Sequence, residues 1–341
     1  MNLKETNMHI KSTLLSSAII LGLAGCGSSN DDKDATPPPP QTGDKTTFSL
    51  GVSDAPVTNL KQVNVVFDSI KIKAQSGEEF SFETRSQSDN TQAQMVNLLD
   101  YTGDDIFELI DDQQVPVGDY QWIRAEVING DTNNLNMKSH VVYEDGSLAP
   151  LVVKRKGNDG VGEIQLDGFA LNQTENEFVL EFDLKKSLVD PQNSDEIFLK
   201  PRGVRLQNIA QSQEIEGKVS KNLIENCEND NNMLAPTDAQ FGHAVYLYAA
   251  DAQTPSDIHE INDEPSQNAP LATANVEFDA DDNEYEFELA FITPGDYQLA
   301  YTCSAHLDDP EQQDDDFNIY QLKPVTLTLA DDLTVNFDIT Q

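Results

Sequence analysis

The first chemistry this sequence offers is metal binding by oxygen ligands at alternate positions. Asp279-x-Asp281-x-Asn283 spaces three such ligands as the opening of a calcium loop would. The pattern then breaks: Glu284 stands where the turn glycine belongs, and Ala290 stands where a bidentate Glu closes such a loop. A second acidic knot, Asp308-Asp309 with Asp314-Asp315-Asp316, follows Cys303, and Glu228-Asn229-Asp230 follows Cys227. Calcium is thus the one cofactor the pattern admits, with Asp279, Asp281, Asn283, Asp308, Asp309 and Asp314 as candidate ligands. The alternative is a set of solvated, self-repelling loops.

Catalytic patterns are missing from the sequence. The histidines after the leader, His140, His243, His259 and His306, belong to no HExxH, and there is no GxSxG or phosphate-binding glycine loop. Carboxylate pairs such as Asp111-Asp112 or Asp331-Asp332 arise readily by chance among 60 acidic residues. Cleaving a glycan needs two carboxylates held ~5–10 Å apart across a sugar cleft. Facing carboxylates beside an exposed Trp122 or Tyr143 would favour a glycan-processing enzyme or its accessory subunit; a buried Trp122 is core. The expectation is a non-catalytic binding or envelope-assembly module, with an envelope protein or a glycan as partner.

Leu23-Ala24-Gly25-Cys26 closes a short apolar run, Leu14 to Leu23, preceded by Lys4 and Lys11. A bilayer span takes ~20 apolar residues, so this run has the length of a signal-peptide core instead. The tetrapeptide resembles the lipobox of bacterial lipoproteins. The resemblance implies a signal peptide over residues 1–25, cleavage before Cys26 and acylation of Cys26, which anchors the chain in a lipid bilayer. Gly27, where Asp would resemble an inner-membrane retention signal, favours the outer membrane. Residues 26–45, with Pro37 to Pro40, form a disordered, semi-rigid tether. With Cys26 assigned to lipid, Cys227 and Cys303 are left as a disulfide in an oxidising compartment, two free buried thiols being the alternative.

Charge narrows the partners. Residues 211–341 carry 28 acidic groups against Lys218, Lys221 and Lys323, while residues 1–210 carry 32 against 18 basic ones. Nucleic acid is excluded, because phosphate binding needs clustered Lys and Arg on an accessible face. Lys154, Arg155, Lys156, Lys185, Lys186, Lys200, Arg202 and Arg205 do cluster within 52 residues. Their expected partner is the acidic C-terminal half of the same chain, with envelope phosphates as the alternative.

Period-two alternation positions all of these groups. Phe48, Leu50 and Val52 read as a half-buried strand, and Ser53-Asp54-Ala55-Pro56 reads as a turn after it. The apolar phase slips between Phe67 and Ile70, which predicts a bulge near Asp68. Tyr120, Trp122, Ala125 and Val127 are candidate core residues. Short strands recur to the end of the chain, separated by Gly, Asn and Asp. They predict an all-β chain of two consecutive β-sandwiches, residues 46–209 and 213–341. A Gly-Asp-Tyr turn occurs in each, at Gly118-Asp119-Tyr120 and Gly295-Asp296-Tyr297.

SLGVSDAPVTNLKQVNVVFDSIKIK, MVNLLDYTGDDIFELIDDQQVPVGDYQWIRAEV and FVLEFDLKKSLVDPQNSDEIFLKPRGVRL resemble, in order, the blocks of the bacterial domain-of-unknown-function family 4382. The resemblance covers residues 46–209 and implies an extracytoplasmic, often lipid-anchored module of unknown activity. The strand order of residues 213–341 resembles the transthyretin-like sandwiches of carboxypeptidase regulatory type, although Asn283-Glu284-Tyr285 lacks the glycine usual before the aromatic strand.

Overall fold

Alternation at Phe48, Leu50 and Val52 builds the strand Lys45–Ala55, which buries all three side chains on one face. The computed structural model of the chain describes residues 44–339, apart from 56–59, 87–91, 158–160, 175, 192–193, 237–239, 262–263, 266–267 and 315. The leader, Cys26 and the tether to residue 43 lie outside the described residues.

Lys45–Ala55 runs parallel to Glu177–Asp183 and antiparallel to Phe107–Pro116, and Val204–Asn208 completes a four-stranded sheet. A nine-stranded sheet is built round Leu60–Ala74, which pairs with Gly118–Val127, His140–Tyr143, Glu79–Glu83 and Gln94–Asn97. Phe48, Leu50 and Phe178 from the first sheet share one core with Phe67, Ile70 and Ile123 from the second. Each fully buried side chain of this size contributes ~1.5–3 kcal/mol. The bulge lies where the phase slips: Phe67 faces Val127 and Ser69 faces Glu126, which leaves Asp68 as the extra residue. The turn expected from Ser53 does not begin there. Ser53, Asp54 and Ala55 stay in the strand because Asp54 N–H donates to Tyr101 O at 2.9 Å and Ala55 pairs with Asp183; Pro56 lies outside the described residues.

The C-terminal half forms a second pair of four-stranded sheets. One runs Glu277–Asp279, Glu284–Ile292, Gln213–Val219, Leu333–Thr334; the other runs Ala272–Asn275, Ala244–Ala249, Gly295–Thr302, Gln321–Leu327. Ile215, Phe287 and Leu289 meet Val245, Leu247 and Tyr301 between them. Among the elements missed by the strand-only reading is the helix Lys221–Asp230. Ser220 caps it by accepting from Leu223 N–H, and Leu223, Ile224 and Cys227 form its buried stripe. The two Gly-Asp-Tyr turns use one device. Tyr120 Oη donates to Pro116 O at 2.8 Å and Tyr297 Oη to Thr293 O at 2.6 Å, each reaching back four residues to pin its turn. The described chain is all-β and of sandwich type.

Candidate functional site

Most of the basic cluster holds the two β units together. Lys186 Nζ donates to Pro270 O and Leu271 O at 2.9 and 2.8 Å, and Lys185 Nζ donates to Ala305 O at 2.8 Å. Arg205 binds Glu181 at 3.0 Å and reaches Ala290 O and Phe291 O, while Lys200 and Arg202 converge on Glu311. Asp183 answers from the same face. Its carboxylate caps the Leu184–Ser187 turn and accepts from Thr273 N–H and Thr273 Oγ1 at 2.8 and 2.9 Å. Val179, Ala290 and Phe291 close the apolar part of the contact. Lys154 and Arg155 stay on their own unit, paired with Glu196 and Glu163. Lys185, Lys186 and Arg205 therefore bind backbone carbonyls of the acidic half, which need donors once buried, while Lys200 and Arg202 bind its Glu311 carboxylate.

A cleft of about 470 Å³ opens beside this contact. One wall is the outer face of the sheet containing Gln213–Val219. Alternation turns Ile215, Gly217 and Val219 inward and Glu214, Glu216 and Lys218 outward. The neighbouring strand repeats the pattern, with Phe287 and Leu289 inward and Glu286 and Glu288 on the cleft side. Register then sets like charges face to face: Glu216 is opposite Glu288, and Glu277 is opposite Glu286. From the other unit, Asp54, Glu181, Thr102 and Gly103 line the cleft, and Thr273 and Asn275 border it. Seven carboxylates line it against one ammonium, that of Lys218, which is held by Glu284 and Glu286. Gly103, at φ 62°, leaves the room that the Glu288 carboxylate occupies; a methyl there would collide with it. Phe278, half exposed, adds an aromatic ring that lies 5.0 Å from Tyr285.

The acidic loops named from the sequence separate in space. Asp279 accepts from Asp281 N–H at 2.7 Å and from Asp282 N–H, and Asn283 takes φ 58°, so the first motif is a self-bonded hairpin turn. Asp308 and Asp314 do come together, and their third member is Asp257, which the motif search passed over; their oxygens lie within 4.8 Å of one another. Asp309 is exposed beside them and accepts from Glu311 N–H. Protein donors already serve this cluster: Tyr246 Oη and Ile258 N–H on Asp308, and His259 and Asp314 N–H on Asp257. The Asp257-x-His259 spacing was the one available sequence signal. Cys227 and Cys303 form a disulfide, with Cα atoms 6.1 Å apart. Trp122 is 8% exposed and lies under Arg124, whose guanidinium carbon is 4.0 Å from the ring centre, so it is core by the criterion set above.

Burial shifts several of these acids upward. It pushes Asp183 up to about 6 against the pull of Lys186, and Asp308 up to about 7 although Tyr246 and Lys185 oppose the shift. Glu214 rises to about 8 through burial and then through Glu288, with which it shares a hydrogen bond. Each raised group keeps a proton in the folded chain that the unfolded chain releases near neutrality, so stability rises as pH falls through these values. His243, held low by burial, acts in the opposite sense below the ordinary histidine value of 6.5. Lowering the pH from 8.5 to 6 is expected to raise the melting temperature by roughly 5 °C. Scanning calorimetry measures this, and a fall across that range would contradict the assignment.

No curated protein matches the chain. Among solved structures, a candidate adhesin from Bacteroides ovatus aligns at 8% identity over 86% of this chain and 94% of that one, with a TM-score of 0.17. A fimbrial protein from Bacteroides ovatus aligns at 8% identity over 87% and 49%, with a TM-score of 0.16. A mutant of the major pilin from Streptococcus pyogenes aligns at 11% identity over 86% and 98%, with a TM-score of 0.14. At these scores the alignments carry no weight for fold or function. Residues 45–201 match the model of the family described as Domain of unknown function (DUF4382), in line with the resemblance read over residues 46–209.

Proposed function

We propose that this protein is a non-catalytic binding or assembly module of the cell envelope, held in the outer membrane by acylated Cys26. The observation that carries the binding part is the acid-lined cleft between two β units docked through buried charges. Anchoring rests on the lipobox pattern ending at Cys26. No helix among the described residues is long and apolar enough to cross a membrane. The C-terminal unit is part of the same reading as a transthyretin-like sandwich, supported by its two four-stranded sheets with one core. Calcium, if it is the cofactor, belongs at Asp257, Asp308 and Asp314, where three carboxylates converge.

Replacing Cys26 with Ser is expected to abolish incorporation of labelled fatty acid and move the protein from the membrane to the soluble fraction. Fractionation and labelling test this together, and a Cys26→Ser protein that is still labelled and sedimenting with membranes refutes the anchor. Turnover of any envelope glycan by the purified protein would refute the non-catalytic reading.

A further inference from the structure

Along Glu284–Ile292, Tyr285, Phe287 and Leu289 turn inward by alternation, and the next inward residue in that phase is Phe291. Phe291 points the other way. Gln213 is opposite Ile292 and Ile215 is opposite Leu289, so Ala290 and Phe291 together oppose the single residue Glu214. This bulge returns Ile292 to the core and turns Ala290 and Phe291 out onto Val179 of the N-terminal unit. Phe291 takes φ 54° there, a left-handed conformation that a bulky side chain rarely adopts. From the N-terminal unit Arg205, itself bound to Glu181, holds the bulge by donating to the carbonyls of Ala290 and Phe291 at 3.3 Å.

The contact that keeps this strain in place is largely polar. Its apolar part is Val179, Ala290 and Phe291, with Ile106 and Ile209 packed against them. Units of one chain move relative to each other by default unless the interface between them is large and apolar. The chain crosses from one unit to the other at Ile209–Gln211, between Val204–Asn208 and Gln213–Val219. Asn208 pairs with Phe178, near the start of Glu177–Asp183. Asp183, which accepts from Thr273 N–H and Thr273 Oγ1, ends that strand, ~17 Å further along. Ala55 pairs with Asp183, and Asp54, Ala55 and Glu181 line the cleft. The crossing therefore lies at one end of the contact, and the Asp183 bonds and the cleft lie at the other.

We propose that the two β units form a hinged clasp: the C-terminal unit swings about Ile209–Gln211, the Asp183–Thr273 bonds latch the far end, and the strained Phe291 bulge relaxes as the latch opens and the cleft widens. This goes beyond the binding-module reading, because the motion is measured with no ligand present and fails or holds separately from binding. Spin labels at Asp105→Cys and Asp281→Cys, both exposed, stand one on each unit beside the cleft residues Gly103 and Asp279. Double electron–electron resonance on the detergent-solubilised mature protein measures the distance between them. The labelled protein is expected to be mostly closed, with a longer, open distance in at most ~10% of molecules. Thr273→Val, which removes one latch donor, and Arg205→Met, which releases the bulge, should each raise the open fraction at least ~5-fold. Phe291→Ala and Phe291→Gly both lose the ring, but glycine takes the left-handed conformation freely. Phe291→Gly should therefore keep a closed-to-open ratio ~5-fold higher than Phe291→Ala. Far-UV circular dichroism checks that each variant folds, and Thr273→Val, the mildest, carries the latch test if Arg205→Met does not. The proposal falls if Thr273→Val leaves the open fraction at the level of the labelled parent. It falls equally if the two Phe291 variants give the same ratio, since the bulge would then stay strained when the units part.

Discussion

Reducing the Cys227–Cys303 disulfide is expected to lower the melting temperature of this protein by roughly 10 °C. The bridge spans 76 residues, joining the helix Lys221–Asp230 to the end of the strand Gly295–Thr302. The chain-entropy model gives ~4–5 kcal/mol for a closed loop of that length, which is an upper figure because denatured chains keep some structure. Both cysteines are buried in the second core, and Asn231 Nδ2 lies 3.6 Å from Cys303 Sγ, so reduction also leaves two thiols in a site shaped for a bridge. Calorimetry of the Cys227→Ala/Cys303→Ala protein against the wild type measures the effect. A change below about 2 °C would mean that the core alone fixes the helix. The same experiment reads calcium. If Asp257, Asp308 and Asp314 bind it, calcium raises the melting temperature beyond what sodium chloride of equal ionic strength does, and Asp314→Asn removes the difference.

Asp183→Ala is expected to cost ~3–5 kcal/mol, the range for removing one partner of a buried charge network. Three donors lose their acceptor at once: Lys186 N–H, Thr273 N–H and Thr273 Oγ1. The desolvated Lys186 ammonium also loses its main favourable charge. These contacts cross between the β units, so the damage should appear as uncoupling as well as weakening. A single calorimetric transition should split into two. Asp183→Asn keeps the size and one carbonyl acceptor and should cost less. Lys186→Met combined with Asp183→Ala should cost less than the sum of the two, because the second change removes a charge the first has already stranded. A fully additive pair with one sharp transition would show that the apolar contact of Val179, Ala290 and Phe291 does the docking instead.

The sequence by itself determined what is local. Period-two alternation marked the strands, the phase slip at Asp68 marked a bulge, and Gly-Asp-Tyr marked two pinned turns. Residue count left Cys227 and Cys303 to pair, and composition placed nearly all the basic residues in one half. The half that the basic cluster meets was the expected one, but Lys185, Lys186 and Arg205 reach it through backbone carbonyls and only Lys200 and Arg202 through an acidic side chain. The helix Lys221–Asp230 also has its signals in the sequence, in Ser220 as cap and in the Leu223, Ile224, Cys227 stripe.

Tertiary structure decided what depends on register and on distant partners. Alternation says that Glu216 and Glu288 point outward; only the pairing of Gln213–Val219 with Glu284–Ile292 sets them face to face. A one-residue slip of either strand would have turned its glutamate inward. Asp279, Asp281 and Asn283 have a spacing that ligand loops and Asx turns share, and only the structure shows Asp279 accepting from Asp281 N–H and Asp282 N–H. Asp257 joined Asp308 and Asp314 across about 50 residues, a separation no motif spans. The cleft has no sequence signature at all: its walls come from both β units, and it exists because Asp183, Lys186 and Arg205 fix how those units meet.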